Sequence, residues 1–147
     1  MLKRHRFWLV LAIVFLFLTA LIHTTALFLQ PAPQNETERQ LFNLLANYKQ
    51  DFGAGFQRSM KDLFTALSAC FSLVSLLGAL TLTYLLRKQA PAPLLKGVVA
   101  IHSVVFGICF AIMAAFTFLP PIILTAVIFV SLLVAYLLIP KHVAVNP

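Results

Sequence analysis

The chain has 147 residues, enough for one domain, and a formal net charge of +7, but its composition does not suit a water-soluble protein. Hydrophobic residues make up 61% and charged residues 10%, whereas soluble domains have about 45–50% and about 25%. So few charges cannot cover the surface of a soluble fold, and we expect lipid to surround most of the chain. Disordered, collagen-like and disulfide-rich classes are excluded, and no polar stretch is long enough to fold as a separate catalytic domain.

Four apolar runs without charge follow one another at residues 7–29, 63–86, 97–119 and 122–139. A bilayer core of about 30 Å needs roughly 20 helical residues, so each run predicts a membrane-spanning helix. Backbone groups in lipid must be paired within their own segment, and runs of this length do not suit barrel strands. The first run is too long for a secretory signal, and we expect it to stay as an uncleaved span. The sequence predicts an all-α, polytopic membrane four-helix bundle that forms a single transmembrane domain over residues 1–147.

Charge is distributed unevenly among the segments outside these runs. The cations before the first run, between the second and third and after the fourth are accompanied by no acid; they are Lys3, Arg4, Arg6, Arg87, Lys88, Lys96 and Lys141. All 4 acids lie in segment 30–62. The positive-inside rule therefore predicts that both termini are cytoplasmic and that segment 30–62 lies outside. The basic side would attract anionic lipid headgroups, whereas charges scattered over three short segments do not favour nucleic-acid binding.

Segment 30–62 contains a pattern typical of a short amphipathic helix. Asn35 with Glu38 three residues later forms a capping-box pattern, which begins a helix. The apolar residues that follow at helical spacing are Leu41, Leu44, Leu45, Tyr48 and Phe52. We expect an outer helix over residues 39–51 that lies on the membrane surface or across the mouth of the bundle. Gly53 and Gly55 would then turn the chain into the second span.

Few side chains inside the runs can carry chemistry. No Asp, Glu, Lys or Arg lies within them, and two histidines remain, His23 and His102. The predicted spans separate these histidines by roughly 13 Å along the membrane normal, which is too far for one metal ion or haem iron to bind both. We therefore assign no catalytic residue, no metal site and no cofactor.

The candidate ligand site lies at the outer end of the first span. Segment 30–62 can bring polar groups over this end, and the candidate residues are His23, Asp51, Arg58, Ser59 and Asp62. Such a cluster could bind an anionic or hydrogen-bonding headgroup, with Asp62 as the preferred partner of the His23 imidazole. The alternative is a structural role, in which the cluster anchors the outer helix or His23 bonds to a backbone carbonyl one turn earlier.

Small residues recur along the second and third runs. The candidate packing residues are Ser68, Ser72, Ser75 and Gly78 on the second run, and Ser103, Gly107 and Ala111 on the third. Small side chains let helix backbones approach closely in lipid. We expect these two stripes to pack the second and third helices together within one chain, with homo-oligomerisation as the alternative.

Residues 19–28 (TALIHTTALF), residues 53–59 (GAGFQRS) and the small-residue-rich helix that follows resemble a family of small four-span bacterial membrane proteins of unknown function. Members are similar in having a histidine late in the first helix, an outer amphipathic piece and a glycine-then-polar entry into the second helix. The resemblance covers about residues 10–85. It implies a location in the bacterial inner membrane and brings no reaction or ligand with it.

These observations favour a non-enzymatic small integral membrane protein, either an accessory subunit of a membrane complex or a lipid-binding helper. One alternative is a small membrane enzyme or carrier that acts on a lipid-like molecule at the outer mouth through His23. Another is a cofactor-binding electron carrier. The expected partners are membrane lipids, together with a larger membrane protein or a second copy of the chain, and not nucleic acid.

Overall fold

The computed structural model describes residues 2–29 and 32–140. The predicted inner cation Lys141 and the first two residues of the predicted outer segment lie outside these ranges. The elements are α1 (Leu2–Ala26), α2 (Glu36–Asn47), β1 (Lys49–Asp51), β2 (Gln57–Ser59), α3 (Met60–Arg87), α4 (Ala92–Phe116) and α5 (Leu119–Leu138). Apart from the two short strands and the connecting turns, this part of the chain is helical, which confirms the all-α part of the predicted fold class.

Four helices are long and apolar enough to cross a membrane, and the candidate spans are Arg4–Ala26, Met60–Arg87, Ala92–Phe116 and Leu119–Leu138. They match the four predicted runs, with ends displaced by several residues. Residues 27–29 lie beyond the end of α1, and α4 begins before Lys96 rather than after it. Prolines explain two of the starts, since α4 and α5 both carry Pro in the first turn, where its missing N–H removes no helical hydrogen bond.

The chain forms two compact units, Met1–Thr19 with Ser75–Pro147, and Ala20–Val74. We call the first the core unit and the second the hairpin unit. The core unit contains an apolar cluster of buried side chains from α1, α3, α4, α5 and the residue after α5, which are Leu9, Ala12, Leu16, Ala79, Leu82, Leu85, Leu95, Val99, Phe106, Ile128, Leu132, Ala135 and Ile139.

Two glycines mark close helix approaches in the core unit. A Cβ atom at Gly78 of α3 would lie 3.3 Å from Phe106 Cε2 and 3.5 Å from His102 Cδ2, both on α4. A Cβ atom at Gly107 of α4 would lie 2.9 Å from Phe129 Cε2 on α5. Gly78 therefore lies close to the third span, and Gly107 lies close to the fourth. The sequence rule identifies small residues that permit close approach without saying which helix approaches.

The other predicted packing residues differ in burial. Ser75 and Ser103 are buried in the core unit, whereas Ala111 is exposed. In the hairpin unit Ser72 is buried and Ser68 half-buried. The Ser72 hydroxyl donates to the Ser68 carbonyl, so the Ser72 side chain is satisfied within α3.

Helix α2 of the hairpin unit begins with the predicted capping pattern. Asn35 Oδ1 accepts the Glu38 N–H at 2.8 Å, and Glu38 Oε2 accepts the Gln34 N–H at 2.8 Å. These bonds satisfy free donors at the start of α2, so the predicted capping pattern is present, and the helix begins at Glu36 rather than at residue 39.

The C-terminal end of the predicted 39–51 helix is wrong. α2 ends at Asn47, and Lys49–Asp51 forms β1, which pairs antiparallel with β2. Gly53 and Gly55 have φ values of +85° and +82°, so they turn a hairpin rather than simply ending a helix. Phe52, the last residue of the predicted apolar stripe, lies in the hairpin turn rather than on the helix. Its N–H donates to the Phe56 carbonyl.

Candidate functional site

The hairpin unit contains a cavity of about 270 Å³ between the end of α1, the helix α2 and the start of α3. Its walls combine apolar side chains with one cation and two hydroxyl groups. The lining residues are Ala26, Leu27, Leu29, Phe42, Leu45, Ala46, Lys61, Phe64, Thr65 and Ser68. All of them belong to the hairpin unit.

The first wall forms where α1 ends. Leu27 N–H bonds to the Thr24 carbonyl at 3.2 Å, and Leu29 N–H bonds to the Thr25 carbonyl at 3.1 Å. The Thr25 hydroxyl donates to the Ile22 carbonyl at 2.9 Å. The chain thus leaves the helix with these backbone groups paired, and Leu27 and Leu29 line the cavity.

The second wall is one side of α2. Phe42, Leu45 and Ala46 line the cavity, and their i, i+3, i+4 spacing places them on one helix face. Of the predicted apolar stripe only Leu45 takes part. The other stripe residues on α2 point away from the cavity: Leu41 is 50% exposed and Leu44 is 62% exposed. The apolar residues of α2 therefore extend beyond the helix face that lines the cavity.

The third wall is polar and lies on α3. Lys61, Thr65 and Ser68 have an i, i+4, i+7 spacing, so they share one face of the helix. A capping box fixes the start of this helix: Ser59 N–H donates to Asp62 Oδ2 at 2.9 Å, and Asp62 N–H donates to Ser59 Oγ at 3.2 Å. A cavity with two apolar walls and a wall bearing an ammonium and hydroxyls suits an amphiphile with an anionic end.

The five predicted ligand residues are placed in separate local roles. Asp51 Oδ1 accepts the Gly53 N–H at 2.8 Å and so supports the hairpin turn. The Arg58 guanidinium donates to the Gln57 carbonyl at 3.0 Å and lies 5.7 Å from the centre of the Phe56 ring. Ligand binding by these residues stays a prediction.

The predicted hydrogen bond between His23 and Asp62 is not found within residues 2–29 and 32–140. The Asp62 carboxylate is occupied by the start of α3, as described above. The His23 ring instead meets the Phe71 ring edge-on, with centroids 4.9 Å apart. Because an aromatic partner holds the imidazole, the ring packs as part of the interface between α1 and α3 in this unit.

Sequence reasoning missed Lys61 and the hydroxyls beside it. Lys61 lies in segment 30–62 but belongs to none of the predicted motifs, and Ser68 is one of the predicted packing residues. The signal that could have found them is the polar i, i+4, i+7 spacing at the start of an otherwise apolar run.

Salt-bridge geometry in the hairpin unit is confined to the surface of α2 among the described residues. Arg39 pairs with Glu36 at 2.8 Å, and both side chains are largely exposed. The Arg39 hydrogen bonds, aided by Gln40, hold the pKa of Glu36 below its ordinary value. Across the described ranges no cluster of three or more histidine, cysteine or carboxylate side chains could hold a metal ion.

Comparison with protein-family models, with curated proteins and with solved structures finds no match to the chain. The fold and the cavity therefore define the class: a helical protein with four helices able to cross a membrane and an amphiphilic cavity in its hairpin unit.

Proposed function

We propose that the protein is a non-enzymatic integral membrane protein that binds a lipid, acting as a lipid-binding helper. The observation that carries the proposal is the cavity bounded by α1, α2 and α3, with Lys61 on its polar wall. An acyl chain would lie against Leu27, Phe42 and Leu45, and the ammonium would pair with an anionic headgroup.

The cavity volume agrees with this assignment. At about 270 Å³ it exceeds the roughly 150 Å³ cavity that holds a benzene molecule and falls just below the range of about 300–1,000 Å³ typical of drug-sized ligand sites. A cavity of this volume suits part of one acyl chain together with the adjoining headgroup. Each buried methylene would contribute roughly 0.8 kcal/mol, so a few of them hold the chain in place.

The topology we propose is a four-helix bundle with both termini in the cytoplasm and α2 on the outer surface of a bacterial inner membrane. The charge distribution supports this orientation, and the resemblance to small four-span bacterial proteins supports the location. The exposed Leu41, Leu44 and Tyr48 would then rest in the interfacial region of the bilayer, as amphipathic helices do. Reporter fusions at Gln89 and Asn47 test the orientation: they should report cytoplasm and periplasm respectively, and the reverse would contradict it.

The alternative of an enzyme or carrier that uses His23 receives less support. His23 is not one of the residues that line the cavity, and its ring packs against Phe71. A general acid or base has to reach the proton that it transfers. A lipid in this cavity would meet Lys61, Thr65 and Ser68 instead.

Native mass spectrometry of the purified protein tests the proposal. We expect one lipid to remain bound to the wild type after gentle detergent extraction. Ala46→Phe should fill the cavity and abolish the bound species, whereas Ala66→Phe adds the same ring at an exposed position of α3 and should retain it. Lys61→Gln should weaken retention of anionic lipids about tenfold, and Lys49→Gln on the exposed strand β1 should not.

Three results would contradict lipid binding in this cavity. These are a wild type with no bound lipid, equal retention by Ala46→Phe and the wild type, and equal loss in Ala46→Phe and Ala66→Phe. Purification with a larger protein in fixed stoichiometry, and without lipid, would favour an accessory subunit of a membrane complex.

A further inference from the structure

The core unit contains a second cavity, of about 230 Å³, where α1 begins, α3 ends, α4 begins and the chain leaves α5. His5 and Arg6 contribute from α1, and Gln89 contributes from the link between α3 and α4. Apolar side chains, Leu85 and Leu95 among them, form the rest of the wall. All of these residues belong to the core unit, so this cavity is distinct from the one in the hairpin unit.

His5 is the unusual residue of this cavity. Its side chain is 5% exposed, and its buried Nδ1 atom has no hydrogen-bond partner among the residues that the structure describes. His5 lies in the first turn of α1. His102 provides the contrast, since its Nδ1 lies 2.9 Å from the Val98 carbonyl one turn earlier. A buried polar atom without a partner is costly, and His5 therefore requires a hydrogen-bonding group in the cavity.

The charged side chains of the core unit are all cationic. The sequence of the core unit contains no Asp or Glu, because all 4 acids of the chain lie between residues 36 and 62. Lys96 is already engaged: its Nζ donates to the Ile139 carbonyl at 2.9 Å and lies 5.0 Å from the centre of the Tyr136 ring. Arg6 lines the cavity with an exposed guanidinium, and its own unit contains no Asp or Glu side chain to pair with it. The Arg6 guanidinium can therefore pair with an anionic group of a bound molecule.

We infer that this cavity binds a phosphate group, with His5 and Arg6 as its partners. His5 supplies the hydrogen bond that its Nδ1 atom otherwise lacks, and Arg6 supplies the positive charge. The leucines would contact an apolar chain attached to the phosphate, as in the headgroup region of an anionic phospholipid. Basic pockets between membrane helices on the cytoplasmic side recognise such headgroups elsewhere. A soluble phosphate ester presents the same chemistry, and the experiment separates the two sources.

The test compares lipid retention in nanodiscs of phosphatidylcholine with and without phosphatidylglycerol. The wild type should retain phosphatidylglycerol preferentially. His5→Phe keeps the volume of the ring and removes both nitrogens, and it should weaken this retention about tenfold. His102→Phe is the matched control, because that ring is paired within its own helix. Arg6→Gln should likewise weaken retention, whereas Lys88→Gln removes an exposed charge that does not line the cavity and should not.

Inorganic phosphate distinguishes the sources. Displacement of phosphatidylglycerol by inorganic phosphate would assign the site to a soluble phosphate compound, and persistence of the lipid would assign it to a headgroup. The Ala46→Phe variant should keep the preference for phosphatidylglycerol, because that residue belongs to the other cavity. Failure of the lipid-binding proposal for the hairpin unit therefore leaves this test intact.

Carbethoxylation of His5 by diethyl pyrocarbonate gives a second measurement that needs no variant. Phosphatidylglycerol should slow modification of His5 in the folded wild type and leave the rate at His102 unchanged. The inference is overturned if the wild type shows no preference for phosphatidylglycerol. It is also overturned if His102→Phe and Lys88→Gln lose as much retention as His5→Phe and Arg6→Gln, or if His5 reacts at the same rate in nanodiscs with and without phosphatidylglycerol.

Discussion

Replacing Gly107 with alanine probes how tightly α4 and α5 pack. The added Cβ atom would lie 2.9 Å from Phe129 Cε2, whereas carbon atoms in contact normally lie about 3.5–4.0 Å apart. The overlap is therefore roughly 0.6 Å or more, and the Phe129 ring or the α5 backbone has to move. Overpacking of this kind costs about 1–3 kcal/mol in the free energy of unfolding.

Gly97 on the same helix provides the matched control. A Cβ atom there meets no atom of the described chain within 4 Å. Both substitutions gain the helix propensity of alanine, about 0.5–1 kcal/mol, so this gain cancels in the comparison. Gly107→Ala should therefore be less stable than Gly97→Ala by about 1–3 kcal/mol. Reversible unfolding in mixed micelles, followed by circular dichroism, measures the difference.

A double variant separates steric overlap from other effects. Gly107→Ala combined with Phe129→Leu removes the ring that the new methyl group meets, so the alanine penalty should largely disappear in that background. Equal stability of Gly107→Ala and Gly97→Ala would refute the close approach of α4 and α5 at this position. An undiminished penalty in the Phe129→Leu background would refute the assignment to that ring.

Three further predictions concern single interactions. Lys96→Met should destabilise the protein by about 1.5–3 kcal/mol, because it removes the charged hydrogen bond to the Ile139 carbonyl at the end of α5. Lys88→Met should cost far less, and unfolding in micelles compares the two variants. The pKa of the Glu36 carboxyl, measured by NMR, should lie below its ordinary value because of the hydrogen bonds from Arg39, and it should rise in Arg39→Gln. Since its pKa is depressed in the folded state, its contribution to stability is present above the unfolded pKa and is lost as pH falls through the folded value. Asn35→Ala should cost α2 about 1 kcal/mol, seen as faster hydrogen exchange in its first turn, and unchanged exchange would contradict the capping role.

The sequence predicted the helices well because one strong physical requirement determines them. A chain segment in hydrocarbon must satisfy its own backbone, so long apolar runs become helices whatever surrounds them. The start of α2 was equally predictable, since Asn35 and Glu38 form local hydrogen bonds. The end of α2 was not, because the choice between another helical turn and the β1–β2 hairpin depends on pairing with residues 57–59.

The cavities were beyond sequence reasoning for a different reason. Which face of α2 contacts its neighbours is decided by tertiary packing, and the face bearing Phe42 and Ala46 differs from the predicted stripe. His5 stands between Arg4 and Arg6 in a basic segment of the sequence and belongs to no recognisable motif. Its burial follows from four chain segments meeting at one cavity, and nothing in the spacing of residues 3–6 indicates this.

Photo-crosslinking in nanodiscs tests the central claim most directly. A phospholipid with a diazirine in its acyl chain should label peptides from the cavity of the hairpin unit, at Leu45–Ala46 of α2 and near Thr65 of α3, more strongly than the exposed apolar side chains of α5. Ala46→Phe should remove the excess labelling and leave that of α5 unchanged. Equal labelling of the cavity and of α5, or labelling unaffected by Ala46→Phe, would contradict lipid binding in this cavity.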